Sequence, residues 1–538
     1  YDSTGGTSGG RGIRFQSYTG DGYLYNNTFY NCQTGVASNN SAPLLRNNIT
    51  QNCSDGYDPS YDALSDYNIS DISGDAPNAV FPTDAVTVAF ENEEGRDLHL
   101  APHDSAARDA GMDLSSDVTL GFTADIDGDT RPDGGGWDIG ADEGAAAIFR
   151  SVGPGSAAAL AGGWTGNTLS ISGTTLTLAS DLTSNIGAGD CIEYDHNDSG
   201  SVNSLAFISG RTDARTFTVR SLTGSTPAQT TVTDTDWRLY RAYTSLEDAV
   251  ETGTVNSGAS LFSELHSGGR DLAASNEIWI LACYGDATDS LGSSLLIDGW
   301  TTSDNTYLSI YAPHLSREVG TSQSLWQSDS PYTLSINANY GIDIADPHVR
   351  IKGLKYINTN SSGSIRAGVR IQSGLEDMDI RISHCLIDLD LSANGLGLHG
   401  IFIDNTNPGS VVIHNNIICG VPENTSGPRG IHSYGAPPEG PRIFCNNTIA
   451  NFGTGIFISD TVGHNIARNN LVYRCDDPFR GNFNPQSDHN ATDGADNTGG
   501  ANDREGESFS FRDEKNLDLR LDPDDSGARD HGETIAGD

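Results

Sequence analysis

The chain contains 538 residues, and its 72 Asp plus Glu against 30 Lys plus Arg give a formal net charge of −42 at pH 7. A charge of this sign and size repels nucleic acid and anionic membrane surfaces, so neither is expected as a partner. The sequence has no apolar run long enough to cross a bilayer, which argues against insertion into a membrane.

The composition favours an extracellular all-β protein. Glycine accounts for 63 residues, and Ser, Thr, Asn and Asp are abundant, as expected for a fold with many turns. Only Lys352, Lys355 and Lys515 are lysines. A surface rich in Asp and poor in Lys suits a salty or cation-rich exterior, because ions screen its self-repulsion. We therefore expect an extracellular or cell-surface location, with divalent metal as a companion.

The cysteines do not form a metal-binding pattern. Eight are present, at positions 32, 53, 191, 283, 385, 419, 445 and 475, and no two have C-x-x-C spacing. This spacing argues against zinc and against a thioredoxin-like site. Buried thiols that act as small hydrophobes are one interpretation, and disulfides in an oxidising compartment are the other.

Residues 1–145 are predicted to be the C-terminal part of a first β-helix, a solenoid of short parallel strands. Glycine followed by apolar residues occurs at 12–15 and at 35–36, and Asn27 and Asn48 each precede a Thr or Ile about a dozen residues later. Asn tolerates left-handed backbone and can hydrogen-bond along a stack of identical side chains. Asn27 and Asn48 are therefore predicted to form a structural ladder at one bend.

An Asp-rich segment closes this region, from Asp125 to Glu143. Four of its carboxylates could offer hard oxygen ligands to Ca²⁺ within one loop, namely those of Asp125, Asp127, Asp129 and Asp133. The loop is not an EF-hand, because its Gly stands at the fourth place and Gly136 stands where position twelve needs Glu. Asp-Gly turn chemistry and an Arg131 salt bridge are the alternatives to a calcium site.

The middle of the chain is predicted to hold a linker, a small module and a short helix. Residues 146–161 are rich in Ala, Gly and Ser and indicate a linker. Alternating strands between 162 and 243 indicate a small all-β module. Thr244 and Glu247 have the spacing of a capping box, so a helix through Val250 is expected to cover the open end of a second β-helix.

The second β-helix is predicted over 244–500, because one pattern returns five times between Gly341 and Cys475. Each return starts with Gly and an aliphatic residue, at 341–344, 368–371, 400–403, 430–431 and 455–458. Each is answered by a second short strand, which starts at 353–354, 385–386, 416–417, 447–448 and 470–471. Strand-length units without a helical period between them mark a parallel solenoid. Asn416, Asn447 and Asn470 are predicted to stack as its ladder.

This pattern resembles the right-handed, pectate-lyase-like β-helix proteins. The stretch 240–246, with 282–284, 297–302 and 320–323, is also similar to the opening region of right-handed β-helix repeat proteins from environmental bacteria and phages. Residues 125–143 resemble the closing segment of many secreted bacterial β-helix domains. These resemblances imply a right-handed parallel β-helix and bring no catalytic residues with them.

The two solenoid regions are related by a tandem duplication with a period near 421. Arg46-Asn47-Asn48-Ile49 matches 468–471, and Asp97-Leu98-His99-Leu100 matches 518–521. Residues 501–538 are therefore predicted to start a second closing segment, and Asp538 corresponds to about residue 117 of the first copy. Because the first copy is partial and the chain begins at Tyr1 rather than Met, we expect a piece of a longer tandem-repeat protein. Trimming is the alternative.

Catalytic motifs of β-helix enzymes are incomplete. Polygalacturonase-like enzymes need Asn-Thr-Asp, paired Asp, Gly-His-Gly and Arg-Ile-Lys in that order. This chain has Arg350-Ile351-Lys352, His399-Gly400 and Asp476-Asp477 in the reverse order and no Asn-Thr-Asp. Pectate-lyase-like chemistry needs calcium-binding aspartates beside Arg, and Asp377, Asp379 and Arg381 are the nearest candidates. No catalytic residue is therefore assigned, and an enzyme is the minority interpretation.

The preferred functional interpretation is a secreted structural protein that forms an extracellular fibre, stalk or adhesin. Self-association end to end into a filament is the expected partnership, because the ends of a solenoid expose unpaired strands. The alternative is a carbohydrate-active enzyme, a polysaccharide lyase or hydrolase, or a tailspike-like β-helix that binds glycans. Exposed aromatic side chains with two convergent carboxylates would favour the alternative.

Overall fold

A computed structural model of the chain describes residues 10–535. The description leaves out the stretches 17–20, 40, 59, 79–80, 82–84, 94–95, 103, 105, 133–135, 165, 324, 326–329, 361–366, 390–397, 405–406, 421–426, 436–439 and 461–462. Asp133, one of the four aspartates predicted to bind calcium, lies outside the described residues.

The described residues form two compact units. The smaller unit holds the chain up to Ala147, together with Thr223–Thr226 and Ile535. The larger unit holds Ile148–Leu222 and Pro227–Thr534. Within these ranges, no helix has the length and apolar character needed to cross a membrane.

The smaller unit consists of short parallel strands followed by one hairpin. Its strands are β1 (Arg11–Gln16), β2 (Tyr23–Tyr25), β3 (Thr28–Tyr30), β4 (Thr34–Asn39), β5 (Leu44–Arg46), β6 (Ile49–Gln51), β7 (Asp55–Asp58), β8 (Ile69–Ser70), β9 (Phe90–Asn92) and β10 (Asp97–Leu100). The first eight form three parallel sheets in the orders β1-β4-β7, β2-β5 and β3-β6-β8, whereas β9 and β10 pair antiparallel. Three parallel sheets visited in turn make a β-helix, as the sequence predicted.

The core of this small β-helix comes from aliphatic residues that recur once per coil. Val36 and Leu45 are fully buried and pack with Tyr57 inside the coils. Ile49 and Ile69, in neighbouring strands, form a second buried cluster that the hairpin and later residues cover. The apolar residues of each strand therefore stack along the axis of the solenoid.

The larger unit begins inside the segment that was predicted to be a linker. Strand β11 (Ala146–Val152) joins a long parallel sheet, and Ile148, Phe149 and Val152 are buried. The linker prediction for 146–161 is therefore wrong over its first half. The strand was not recognised in the sequence because many small residues surround it. Its apolar side chains fill the solenoid core.

The small all-β module is a seven-stranded antiparallel sheet, in agreement with the predicted strands. Its strands are β12 (Ala161–Gly162), β13 (Leu169–Ser172), β14 (Thr175–Leu178), β15 (Cys191–Tyr194), β16 (Ser204–Arg211), β17 (Thr216–Arg220) and β18 (Trp237–Tyr240), in the order β12-β18-β15-β16-β17-β14-β13. Leu176, Ile192 and Phe217 belong to its own core.

The module is part of the larger unit and does not stand apart from the solenoid. Arg241, fully buried after β18, donates to both carboxylate oxygens of Asp190 at 2.7 and 2.9 Å. Its guanidinium also lies 3.6 Å from the ring centre of Tyr284 and forms a salt bridge with Asp286. A buried, multiply bonded Arg of this kind fixes the module on the first coil of the solenoid.

The second β-helix follows a short helix. That helix covers Asp248–Thr252 and a second one covers Leu272–Ser275. The solenoid strands are β19 (Glu277–Cys283), β20 (Thr288–Leu291), β21 (Leu295–Ile297), β22 (Leu308–Tyr311), β23 (Thr333–Ile336), β24 (Tyr340–Ile344), β25 (His348–Lys352), β26 (Lys355–Asn358), β27 (Ala367–Ile371), β28 (Met378–Ser383), β29 (Leu386–Asp388), β30 (His399–Ile403), β31 (Gly409–His414), β32 (Ile417–Cys419), β33 (Arg429–Ser433), β34 (Arg442–Cys445), β35 (Thr448–Ala450), β36 (Thr454–Ile458), β37 (Asn465–Arg468), β38 (Leu471–Tyr473), β39 (Asp477–Arg480) and β40 (Ala491–Thr492).

These strands form three long parallel sheets, which the chain visits in turn. Sheet 1 has the order β11-β19-β22-β25-β28-β31-β34-β37, sheet 2 the order β20-β23-β26-β29-β32-β35-β38-β40, and sheet 3 the order β21-β24-β27-β30-β33-β36-β39. The register places like residues above one another, as with Ile310, Ile351 and Ile382 in sheet 1. All three are buried, so the core is a set of aliphatic columns.

The glycine of the repeat is required by close packing between coils. A Cβ atom added at Gly430 would lie 2.3 Å from Cγ2 of Ile449 and 2.6 Å from the carbonyl oxygen of Gly455. Gly400 and Gly455 are in the same situation, with Ile418 and Val472 as the nearest side chains at 2.4 Å. Glycine therefore recurs where sheet 3 begins because a larger residue would collide with sheet 2.

The helix predicted after Thr244 covers the first coil, with a different capping pair. Ser245 Oγ, not Thr244, accepts the backbone N–H of Asp248 at 3.0 Å. Val250 is fully buried in the solenoid core. The Glu251 carboxylate accepts the N–H of Leu296 in β21, at 2.6 Å, at the first strand of sheet 3. The helix thus covers both apolar side chains and an edge N–H at this end.

The larger unit ends in a hairpin like that of the smaller unit. Strands β41 (Phe511–Asp513) and β42 (Asp518–Leu521) pair antiparallel, with a 3₁₀ turn over Glu514–Asn516 between them. Leu519 is buried against residues of sheet 2 such as Ile417. All eight cysteines are thiols in this structure, and only Cys53 among them is not buried.

Candidate functional site

The structure brings Asn416, Asn447 and Asn470 together in one hydrogen-bonded column. Each side-chain amide donates to Oδ1 of the next Asn, at 3.0 Å for both steps. The Asn447 amide also donates to the carbonyl of Ile413, and its Oδ1 accepts the N–H of Asn416. Each Asn is 1% exposed. Every polar group of Asn447 is thus used within the fold, which makes the ladder structural.

The ladders extend further than the sequence prediction. Asn470 donates to Asn490 at 3.0 Å. In the smaller unit, Asn27 donates to Asn48 at 3.2 Å and Asn48 donates to Asn68 at 2.9 Å. Asn490 and Asn68 were missed, although each stands before a small or aliphatic residue in the same way as the other rungs. That local signal would have found them.

The Asp125 side chain is engaged by its own loop. Its Oδ1 accepts the backbone N–H groups of Asp127, Gly128 and Asp129 at 2.8–2.9 Å, and its Oδ2 accepts the N–H of Glu143 at 2.9 Å. This is the Asp-Gly turn chemistry named as an alternative to calcium. Among the described predicted ligands, Asp127 and Asp129 have side-chain carboxylates that do not accept these backbone N–H groups.

The Arg131 salt bridge is also present, and it is completely buried. Its Nη1 lies 2.8 Å from Oε2 of Glu143, and neither side chain is exposed. The guanidinium further donates to the carbonyls of Asp138, Gly140 and Ala141. The ion pair therefore holds the closing segment of the smaller unit in one conformation.

Among the described residues, two groups of Asp and His side chains have the spacing of metal ligands. In the first, His99 Nδ1 lies 2.5 Å from Asp97 and Nε2 lies 3.0 Å from Asp127, with Asp142 nearby. The hydrogen bond with Asp97 raises the pKa of His99 to about 9. A charged imidazolium has no lone pair for a metal, so at neutral pH this group is a salt-bridge cluster.

The second acidic group lies in the antiparallel module. Carboxylate oxygens of Asp195, Asp234 and Asp236 lie within 4.8 Å of one another. Oxygen ligands of this type suit Ca²⁺. Asp195 also accepts the N–H of Gly200 at 2.7 Å and the amide of Asn203 at 2.8 Å, so it orders its own turn.

Of the three lyase-like candidates, Asp379 and Arg381 pair with each other, whereas Asp377 is exposed just before β28. Asp379 forms salt bridges with Arg381 at 2.9 Å and with Arg350 at 3.5 Å on the outer face of sheet 1. The Arg350 guanidinium also lies 3.5 Å from the ring centre of Tyr307. The Asp379 carboxylate is therefore held by two guanidinium groups.

The outer face of sheet 3 carries a column of aromatic side chains. Phe402, His432 and Phe457 are in register in three successive coils. Their ring centres lie 5.0 and 4.9 Å apart, with interplanar angles of 17° and 27°. Arg429 and Arg480 lie over the Phe457 ring at 4.3 and 5.2 Å. We call these five residues the aromatic column.

The imidazole in this column is neutral. Burial, and then the neighbouring Arg429, lower the pKa of His432 to about 3. Its Nδ1 lies 3.2 Å from Arg429, which can only donate, so Nε2 carries the proton toward Ser459 Oγ at 2.7 Å. His399, stacked on Phe402 at 4.7 Å, also has its pKa lowered to about 3, chiefly by burial.

No protein-family model, curated protein or solved structure matches this chain.

The aromatic column places aromatic rings beside two guanidinium groups on the outer face of sheet 3. Half-buried aromatic faces and guanidinium donors are typical of binding surfaces. Within the described residues, the charged groups of the column are both Arg, and no pair of carboxylates belongs to it. The column was missed in the sequence, although Phe402, His432 and Phe457 all stand third in the Gly-Ile repeat, where side chains point outward.

Proposed function

We propose that this chain is a secreted structural β-helix protein, a segment of an extracellular fibre, stalk or adhesin. The observation that carries the proposal is that one chain builds the same β-helix end twice, each with a buried asparagine ladder and a closing hairpin. Repeating a unit that is stabilised by its own contacts produces a longer rod. An enzyme, in contrast, needs one complete active site.

The surface chemistry supports this proposal. Asp379 is paired with Arg, and Asp125 accepts backbone N–H groups of its own loop. Continuous backbone ladders of seven and eight strands give stiffness along the axis. A net charge of −42 keeps such a rod soluble and makes its self-association depend on salt or divalent cations.

Electron microscopy and sedimentation of the purified chain test the proposal. Over a range of NaCl and CaCl₂ concentrations, we expect filaments that form end to end, with assembly promoted by ions that screen the acidic surface. An EDTA-treated sample at matched ionic strength separates calcium from general screening. A monomer under every condition would contradict the proposal.

Calcium is part of the proposal as a ligand of the loop that starts at Asp125. Asp127 and Asp129 supply its candidate oxygens, although Asp127 also contacts His99. Isothermal titration with CaCl₂ measures binding directly. The double change Asp127→Asn and Asp129→Asn should abolish the heat of binding, whereas Asp195→Asn in the module should not. Equal heats of binding from the unchanged chain, the double variant and Asp195→Asn would rule out this loop as the calcium site.

A second candidate function is glycan binding, and the aromatic column favours it. Aromatic rings stack against sugar rings, and Arg side chains donate to hydroxyl and carboxylate groups. A glycan array with the intact chain is the screen. Phe457→Ala and Arg429→Gln should each reduce binding about tenfold, which is about 1.4 kcal/mol. Arg381→Gln, on the outer face of sheet 1, is the matched control. Equal losses for all three would contradict binding at the column.

A further inference from the structure

Two cysteines lie next to each other in successive coils of the smaller unit. Cys32 follows β3 and Cys53 follows β6, and these two strands pair in parallel. The N–H of Asn31 donates to the carbonyl of Gln51, and the N–H of Ser54 donates to the carbonyl of Cys32, both at 3.1 Å. The backbone pairing of the two coils therefore continues through both cysteines. We call Cys32 and Cys53 the coil pair.

The two thiols of the coil pair are hydrogen-bonded to each other. Cys32 Sγ lies 3.6 Å from the carbonyl oxygen of Tyr30, and Cys53 Sγ lies 3.9 Å from that of Phe29, so both sulfur atoms lie against the end of β3. Neighbouring parallel strands are about 4.8 Å apart. This spacing lies within the range of about 4.4 to 6.8 Å that disulfides need between their Cα atoms. The backbone spacing and the sulfur contact therefore both fit a disulfide bond.

The larger unit has only one cysteine at the corresponding place. Cys53 corresponds to Cys475 at an offset of 422, and Cys32 corresponds to Phe452 at an offset of 420. The Cys53 sulfur receives a backbone hydrogen bond from Cys32, and the Cys475 sulfur receives one from Phe452. The two places are thus equivalent in structure, and the buried Phe452 ring replaces the second thiol.

Two further cysteines of the larger unit face other residue types in the next coil. Cys419 is in register with Ala450, and Cys445 is in register with Arg468. Neither therefore has a sulfur atom as its register partner in the following strand.

The contact within the coil pair also favours deprotonation of one thiol. The hydrogen bond from the Cys53 thiol lowers the pKa of Cys32 to about 7, whereas the same bond raises the pKa of Cys53. Cys32 is thus partly thiolate at neutral pH, and the thiolate is the form that reacts with disulfides. At the corresponding place in the larger unit, burial raises the pKa of Cys475 to about 12, so its thiol stays protonated.

We propose that Cys32 and Cys53 are oxidised to a disulfide that joins two successive coils of the smaller unit. Cys53 is partly exposed whereas Cys32 is 6% exposed, so a small reagent reaches the pair from the side of Cys53. The bond adds a covalent link to the hydrogen-bonded ladder between these coils. The proposal rests on the geometry of the pair and does not depend on filament formation, calcium or glycan binding.

The oxidant in this reaction is a low-molecular-weight disulfide such as oxidised glutathione. One protein thiolate attacks a sulfur atom of the reagent, which breaks the S–S bond of the reagent, forms a mixed disulfide and releases one glutathione thiolate. The second protein thiolate attacks the protein sulfur of the mixed disulfide, forms the bond between Cys32 and Cys53, and releases the second glutathione. The protein loses two protons and two electrons, and the reagent is reduced to two thiols.

Counting the thiols of the intact chain tests the proposal. The folded chain is incubated with oxidised glutathione at pH 8, unfolded in the presence of N-ethylmaleimide, and weighed by mass spectrometry. We expect two of the eight cysteines to escape alkylation, and none to escape after reduction with dithiothreitol. Trypsin cleaves after Arg14, Arg46 and Arg96, so the disulfide should join the peptides 15–46 and 47–96.

Matched variants separate the coil pair from the other thiols. Cys32→Ser and Cys53→Ser should each abolish the disulfide, whereas Cys475→Ser, at the corresponding place in the larger unit, should leave it intact. Oxidation of the unchanged chain should slow hydrogen exchange at 28–33 and 49–54 about 100-fold, because the bond closes a loop of about 20 residues in the unfolded chain. The Cys53→Ser variant should show no such slowing.

Several results of these experiments would overturn the proposal. One is complete alkylation of all eight cysteines in a chain that was folded during the treatment with oxidised glutathione. Others are a mixed disulfide with glutathione that persists on Cys53, and a disulfide that persists in both Cys32→Ser and Cys53→Ser or is lost in Cys475→Ser.

Discussion

The two closing ends of this chain share a corner and differ in what covers it. Both have left-handed Asn residues followed by ladder rungs, and both have a hairpin over the outer face of the coil. In the smaller unit a further segment adds Ile139 and the buried pair of Arg131 and Glu143. In the larger unit, Asn446 and Asn469 line a cavity of about 170 Å³. The comparison teaches that coils are encoded locally, rung by rung, whereas closure depends on a separate segment.

The largest expected effect tests whether the ladders are equivalent. Asn447→Ala removes the acceptor of two buried donors, the N–H and the amide of Asn416, whereas Asn48→Ala removes the acceptor of the same two groups of the partly buried Asn27. Each buried group left unpaired costs about 1 to 3 kcal/mol, so we expect about 2 to 6 kcal/mol for Asn447→Ala and a cost toward the lower end of this range for Asn48→Ala. Hydrogen exchange resolved to each unit measures the loss. If only one of the two variants lost stability, the asparagine ladders of the two units would not be equivalent.

The next effect concerns the closing segment of the smaller unit. Glu143→Gln leaves the Arg131 guanidinium buried without its carboxylate. Removing one partner of a buried ion pair costs about 3 to 5 kcal/mol. We expect hydrogen exchange to accelerate in the smaller unit only. Glu514→Gln, which removes an exposed salt bridge with Arg474, is the control and should change stability little.

Close packing between coils gives a smaller effect. Gly430→Ala places a Cβ atom 2.3 Å from Ile449 and should cost about 1 to 3 kcal/mol in thermal or denaturant unfolding of the larger unit. Gly12→Ala tests the same contact in the smaller unit, where the nearest atom belongs to Phe29, also at 2.3 Å. Gly292→Ala is the control, because nothing lies within 4 Å of its added Cβ. A cost as small as that of the control would contradict this account of the repeat.

The smallest expected effect is a difference between the two hairpins in how their stability depends on pH. His99 in the first hairpin pairs with Asp97, whereas Arg520 in the second pairs with Asp518 at 2.7 Å. The pKa of His99 is raised from 6.5 to about 9, so its stabilising contribution is complete below about pH 6.5 and is lost as the pH rises through 9. The Arg520 pair keeps its charge over this range. Hydrogen exchange of the two hairpins at pH 7 and 10 should differ for the first alone, and His99→Arg should remove the difference.

Much of the fold could be predicted because it depends on local sequence patterns. The glycine repeat, the alternating aliphatic residues and the Asn before each bend are set by contacts between neighbouring coils. The strand that replaced the predicted linker at 146–161 was hidden because its neighbours are small residues and its partner strand lies more than a hundred residues later, in β19.

The candidate site was less predictable, for a physical reason. The sequence by itself determined the β-helix, its ladder positions and its duplication, because each depends on which residue types recur at one place in a coil. Only the tertiary structure decided which carboxylates are paired, as at Asp379, and that Phe402, His432 and Phe457 stack. Those properties depend on distances between coils and segments far apart in sequence, which residue order alone does not specify.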